Sequence, residues 1–173
     1  MSEKNPPKAR PHPPMMPNVR GAQVIGLIDI TFSLGPSTNL RKLASKFGND
    51  ISTLLPSLDA AEMLGLLKRQ NDEIALTDLG LKFQKVPESI SKIPLLRDQL
   101  SKIEPFRTTL ELLSHERKVR TSDIAKTLGR MNIRWDLNRD RNESLIHGIL
   151  INWGTFAGLF SHNSETEEFR KSE

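Results

Sequence analysis

The sequence contains no cysteine, which excludes disulfides, thiolate metal ligands and a cysteine nucleophile together and fits a reducing, cytoplasmic setting. It also lacks any uninterrupted apolar run of about 18 residues. The longest apolar stretches, Val24–Leu34 and Leu145–Trp153, are broken by Asp29, Thr31, His147 and Asn152, so no membrane-spanning helix is expected. Residues 1–20 carry charges and prolines but no apolar central region, which excludes a secretory signal. No Gly-Lys dipeptide exists, and with it goes the phosphate-cradling loop that ends in Gly-Lys-Ser/Thr. No serine sits in a G-x-S-x-G elbow. The histidines, His12, His115, His147 and His162, are scattered and not set at the close helical spacing that lets two imidazoles share an ion. Neither a metal site nor a cofactor is expected, and His147, inside the last long helix, reads as a structural histidine. Asp29, Asp59 and Glu62 lie on or beside helices, where capping or solvated roles suffice. No catalytic residue is assigned, and the chain is expected not to be an enzyme.

What is present is a chain of 173 residues with a formal net charge of +4, long enough for one compact domain or two small abutting ones. The first 17 residues are too rich in proline for a helix or a sheet interior and read as an extended, solvated, basic leader. From Gln23 the run VIGLIDITFSL is apolar nearly all round, and its stop at Gly35-Pro36 favours a helix that must be covered on more than one side. Ser37 or Thr38 can cap a second helix carrying Leu40, Leu43, Ala44 and Phe47, ended by Gly48. Leu54, Leu55, Leu58, Ala61 and Leu64 make a third stripe, in which Pro56 fits if Thr53 is the cap, and Gly65 closes it.

The segment LLKRQ-ND-EIALT is a hairpin by its two alternating runs around a polar Asn71-Asp72 turn. Thr77 then caps a helix in which Leu79 and Phe83 lie one turn apart. Helix, helix, helix, hairpin, helix is the order of a winged helix. Pro87 can open a connecting helix that Pro94 bends or splits, and Phe106, Leu110 and Leu113 give another. A second pass of the same grammar begins at Lys118: an extended KVR, Thr121 as cap, Ile124 and Leu128 one turn apart, and Gly129 as stop. Leu145, Ile149 and Trp153 mark a last helix, and TFAGLF with EEF beyond Asn163-Ser164 reads as a second hairpin. The expected fold is mainly α with short β-hairpin wings: a winged helix-turn-helix over 18–86, connecting helices over 87–117, and a second, abbreviated winged-helix-like unit over 118–173.

A helix-turn-helix reader puts its second motif helix in the major groove. Here that helix, around Ile51–Leu64, contains no lysine, arginine, asparagine or glutamine, and Asp59 and Glu62 bring negative charge. The candidate phosphate contacts lie elsewhere: Arg41, Lys42 and Lys46 on the preceding helix, Lys68 and Arg69 at the wing, and Arg130, Arg134, Arg139 and Arg141 in a later loop. The reading favoured for each is a solvated face, since Asp136 and Asp140 stand beside the later arginines. Leu64, Leu66 and Leu67 beside the apolar first helix, with its Val24, Leu27, Ile28 and Phe32, form a candidate interaction surface; their other reading is ordinary core.

Three blocks in order, MPNVRGAQVIGLIDITFSLG, LRKLASKFGNDISTLLPSLDAAEMLGLLKRQNDEIALTDLGLKF and ILINWGTFAGLF, resemble the AAA-associated C-terminal domain that follows the ATPase domain of nitrate/sulfonate/taurine-type ABC transporters. The resemblance covers about Met16 to Phe160, closely in the first unit and more loosely over Glu88–Arg141. It implies a winged-helix, non-catalytic accessory domain with a regulatory or protein-interaction role. Neither a P-loop nor an LSGGQ signature is present in these residues. The expected partner is therefore an ABC ATPase subunit in trans, or a second copy of the chain, with DNA binding by a winged-helix regulator as the alternative.

Overall fold

The computed structural model describes residues 12–48, 50–87 and 91–172. The first helix, α1 (Gly21–Ser33), buries Val24, Leu27, Ile28 and Thr31 along one stripe. A short strand follows, β1 (Ser37–Asn39), then α2 (Leu40–Phe47) and α3 (Ile51–Met63). Next come β2 (Leu67–Gln70), β3 (Glu73–Leu76) and α4 (Asp78–Gln84). The strands form an antiparallel sheet in the order β1-β3-β2, with Thr38 opposite Ile74. Asn39 caps α2, its side chain accepting from the Lys42 amide at 2.9 Å, where Ser37 or Thr38 was expected. Gly48 ends that helix at φ +63°, a left-handed conformation that glycine adopts without a Cβ penalty. Asn71 takes φ +56° at the tip of the β2–β3 hairpin, and the Thr77 hydroxyl accepts from the Gly80 amide to start α4.

Helix α3 begins at Ile51, two residues before the expected cap, so Pro56 lies inside it; Thr53 instead donates its hydroxyl to the Asp50 carbonyl. Likewise Pro94 neither bends nor splits a helix. It occupies the first turn of α5 (Ile93–Leu100), where a missing amide has no intrahelical partner to lose. A helix opening at Pro87 falls on residues 88–90, outside the described residues.

The second half repeats the first. Helix α6 (Phe106–His115) leads into β4 (Lys118–Arg120), α7 (Thr121–Arg130) and α8 (Arg139–Ile149). Helix α8 runs into a π-helical turn (Leu150–Thr155), and β5 (Phe160–Asn163) and β6 (Glu168–Lys171) close the chain. Their order β4-β6-β5 is that of the first sheet, and Val119 opposite Phe169 stands where Thr38 faces Ile74. Helix α6, expected as a connecting helix, packs on β4, α7 and β6 as the first helix of this unit, and among the described residues no helix follows β6 as α4 follows β3. Gly129 does not stop α7; Asn132, at φ +59°, supplies the left-handed residue. Thr121 is not the cap either, because the Arg120 amide donates to Asp123 and Thr121 begins the helix.

Residues 1–11 of the expected solvated leader lie outside the described residues, and the part from His12 on is not wholly solvated. Met16 is fully buried, and both tryptophan indoles donate to the segment before α1: Trp135 Nε1 to the Pro13 carbonyl at 3.0 Å and Trp153 Nε1 to the Pro17 carbonyl at 2.9 Å. Asn152 donates to Asn18 at 2.6 Å alongside. Prolines without amides suit this placement, since an extended strap offers its carbonyls to side chains and has few donors left to satisfy. The strap and the two units share one hydrophobic core.

Candidate functional site

Six of the seven residues read as a candidate interaction surface are core. Val24, Leu27 and Ile28 are wholly buried, and Leu64, Leu66 and Leu67 retain 1% exposure each; only Phe32 is exposed. The helix α1 is covered by α3, α4 and β3, which consumes the apolar surface that looked left over. The six buried residues have no free surface to offer a second copy, and Phe32 alone of the seven does.

The acidic side of α3 also has an internal use. Arg69 on β2 donates to Asp59 at 2.6 Å and to Glu62 at 2.7 Å, and its backbone amide donates to Glu62 at 3.1 Å. Burial works to raise the Glu62 pKa, but the bonds from Arg69 outweigh it and hold the carboxyl below its ordinary value. Arg69, read as a candidate phosphate contact, is thus engaged as a clamp between wing and helix. Lys68, Arg41, Lys42 and Lys46 remain exposed on the first unit.

On the second unit the arginines converge. Arg130, Arg134 and Arg139 line a cleft of about 730 Å³ between α7 and α8, together with Lys126. Arg139 pairs with Glu143 at 3.1 Å, and Arg141 is exposed beside it on the first turn of α8. The expected arginine-rich loop thus ends inside a helix, the one that stands where a reading helix stands in a winged helix. Three carboxylates, Asp123, Asp136 and Glu143, line the same cleft.

The loop between α7 and α8 is pinned at both ends. The Ile133 amide donates to the Leu128 carbonyl at 2.9 Å, closing α7. The buried Asn142 side chain accepts from the amides of Trp135 at 2.9 Å and Asp136 at 3.2 Å. Asp136 accepts from the Asn138 amide at 2.7 Å, and Asn138 caps α8 through the Arg141 amide. Between these pins Leu137 is 98% exposed, at the rim of the cleft. A leucine held out of the core by a hydrogen-bonded loop has no packing reason to be there. Nothing in the sequence marks Leu137, whose neighbours Asp136 and Asn138 read only as a polar stretch.

The structure also gathers what the sequence scatters. His147 on α8 and His162 on β5 meet with ring centroids 5.1 Å apart, and Glu167, in the turn between β5 and β6, lies 3.7 Å from each Nε2. Two of the four histidines scattered along the sequence meet because β5 lies antiparallel to β6 and folds back against the π-helical turn that continues α8. His147 Nδ1 is 3.0 Å from the Thr121 hydroxyl, consistent with its reading as a hydrogen-bonded histidine. Burial, and then the neighbouring His147, push the His162 pKa down, against a smaller upward pull from Glu167. Beside this cluster the buried Glu168 carboxylate takes Lys118 at 2.8 Å and Arg170 at 3.4 Å, and the Lys118 bond chiefly lowers its pKa to about 2.

Among the described residues no helix is long and apolar enough to cross a membrane. No curated protein matches the chain. The restriction endonuclease FokI is a structural neighbour with a TM-score of 0.49 and 17% identity, over 70% of this chain and 30% of that one. The chain spans about a third of that enzyme's length. The model of the C-terminal AAA-associated domain matches residues 41–163, from α2 through the second hairpin's first strand, and the chain belongs to that family.

Proposed function

We propose that this chain is a non-catalytic accessory module that docks on an ATPase domain or subunit lying outside these 173 residues, using the α7–α8 cleft and Leu137 as the contact. The observation that carries this reading is the exposed leucine on a pinned loop. An apolar anchor held in place before binding loses little conformational entropy when it enters a partner's pocket. The charge around it supports a protein surface as occupant: four basic side chains, Lys126, Arg130, Arg134 and Arg139, share the cleft with three acidic ones. A polyanion entering there meets Asp123, Asp136 and Glu143, whereas a protein surface can match both signs.

A second reading has its own observation, since Arg139 and Arg141 sit on the first turn of the helix that occupies the reading position of the second unit. It makes this unit a DNA-binding element. Fluorescence anisotropy against mixed duplex DNA over a salt series separates the two. The docking reading predicts no saturable binding at about 0.1 M salt and a slope of log affinity against log salt near zero, while four phosphate contacts give about −3 to −4. The steep slope would overturn the docking reading.

A further inference from the structure

We propose that His147, His162 and Glu167 form a binding site for a divalent transition-metal ion, Zn²⁺ first, that ties the second wing hairpin to the end of α8. One donor atom from each of the three lies within 4.8 Å of the others. Zinc bonds of about 2.0–2.2 Å to imidazole nitrogen and carboxylate oxygen place neighbouring donors of a tetrahedron about 3.4 Å apart. The 3.7 Å from Glu167 Oε2 to each histidine Nε2 is too long for a hydrogen bond and close to that edge. Modest side-chain rotation brings the set onto one ion.

Four further features fit a ligand set better than a structural cluster. First, His162 Nε2 is buried and has no hydrogen-bond partner among the described residues, although its ring is nearly enclosed. Buried nitrogens are ordinarily paired, and an ion would satisfy this one. Second, in the tautomer whose Nδ1–H donates to the Thr121 hydroxyl, His147 turns its Nε2 lone pair toward Glu167. Such an outer partner orients a metal-binding imidazole.

Third, Glu167 has no lysine or arginine partner among the described residues. The nearby cations Lys118, Arg120 and Arg170 all turn to Glu168 instead. Glu167 also holds φ +55°, an uncommon conformation for a non-glycine residue, on a turn braced by the Asn163 side chain accepting from the amides of Glu165 and Thr166. Fourth, Phe169 walls the site, 4.7 Å from the His162 ring and 5.9 Å from the His147 ring, and limits access of water on that side. Glu167 itself is largely exposed, which leaves the outer side open for a fourth ligand from solvent. Two imidazoles and one carboxylate suit Zn²⁺, Co²⁺ or Ni²⁺ rather than Mg²⁺ or Ca²⁺, which take oxygen donors.

The test is isothermal titration of the chelator-treated full chain with ZnCl₂, together with Co²⁺ absorption in the visible range. The expected result is one saturable site with micromolar or tighter affinity. Glu167→Gln and His162→Ala each weaken it at least tenfold, and His12→Ala and His115→Ala leave it unchanged. Thr121→Val, which removes the bond to His147 Nδ1 and leaves all three donor atoms in place, weakens it about 10–100-fold. Glu167→Gln alters an exposed turn and keeps the fold, so its result stands even where His162→Ala is destabilised. Absence of saturable Zn²⁺ uptake by the wild-type chain at micromolar concentrations overturns the site. So does uptake that Glu167→Gln leaves within threefold of wild type.

Discussion

Trp153→Ala is expected to destabilise the chain by about 3–5 kcal/mol, the range for removing a fully buried large aromatic. For a chain of this size that lowers Tm by about 6–20 °C. Trp153 is wholly buried in the π-helical turn that continues α8, and its indole also holds the Pro17 carbonyl. Truncation therefore leaves a cavity in the second unit and an unpaired carbonyl on the strap leading into α1. Trp153→Phe separates the two effects. It keeps most of the volume and is expected to cost about 1 kcal/mol more than repacking alone, the usual worth of one hydrogen bond. Thermal melts of both variants decide it. A loss under about 1 kcal/mol for the alanine variant contradicts a core shared by strap and second unit, given the magnitudes for such truncations.

Gly80→Ala is expected to cost about 3 kcal/mol or more, an overpacking penalty at the upper end because the obstacle is backbone. A Cβ at this position stands 1.9 Å from the Leu66 carbonyl oxygen and 3.0 Å from its carbon. That same oxygen accepts from the Thr77 amide at 3.1 Å, and the Thr77 hydroxyl in turn joins the Gly65 carbonyl and the Gly80 amide. The methyl group therefore forces apart the base of the first wing and the start of α4, where three hydrogen bonds meet. The matched control is Gly26→Ala in α1, where a Cβ meets nothing within 4 Å. It is expected to stabilise by about 0.5–1 kcal/mol through helix propensity. Denaturant midpoints of opposite sign for one chemical change check the account.

Much of the first unit is legible because its signals are local. The Asn71-Asp72 turn, the Thr77 cap and the Gly48 stop each act within a few residues, and each stands where the pattern puts it. Strand β1 is not legible in this way. Ser37–Asn39 has no apolar alternation and becomes a strand because β3 offers an open edge to pair with. At β4 the extended KVR is read from the sequence, but its pairing with β6, some fifty residues further on, is not. Reading the apolar residues of α1 and Leu64–Leu67 as spare surface fails for a related reason. Whether a leucine is covered depends on what packs over it, and α3, α4 and β3 pack over α1.

The candidate site is the least legible part. Leu137 is an isolated apolar residue in a polar stretch, and its exposure follows from the Asn142 and Asn138 hydrogen bonds that only the folded loop makes. His147, His162 and Glu167 come together through hairpin geometry, and no spacing along the chain encodes that meeting. Arg69 shows the converse: its charge is visible in the sequence, but its engagement by Asp59 and Glu62 is not.

The most direct measurement of the docking surface is the affinity of the purified chain for ATPase subunits of the same organism's ABC transporters, compared between wild type and Leu137→Asp. Because Leu137 is 98% exposed, the substitution is expected to change stability by no more than about 0.5 kcal/mol. The account predicts saturable binding to an ATPase subunit that Leu137→Asp weakens at least tenfold, about 1.4 kcal/mol, with Tm unchanged. Binding that Leu137→Asp leaves intact, or no binding to any ATPase subunit, would contradict it.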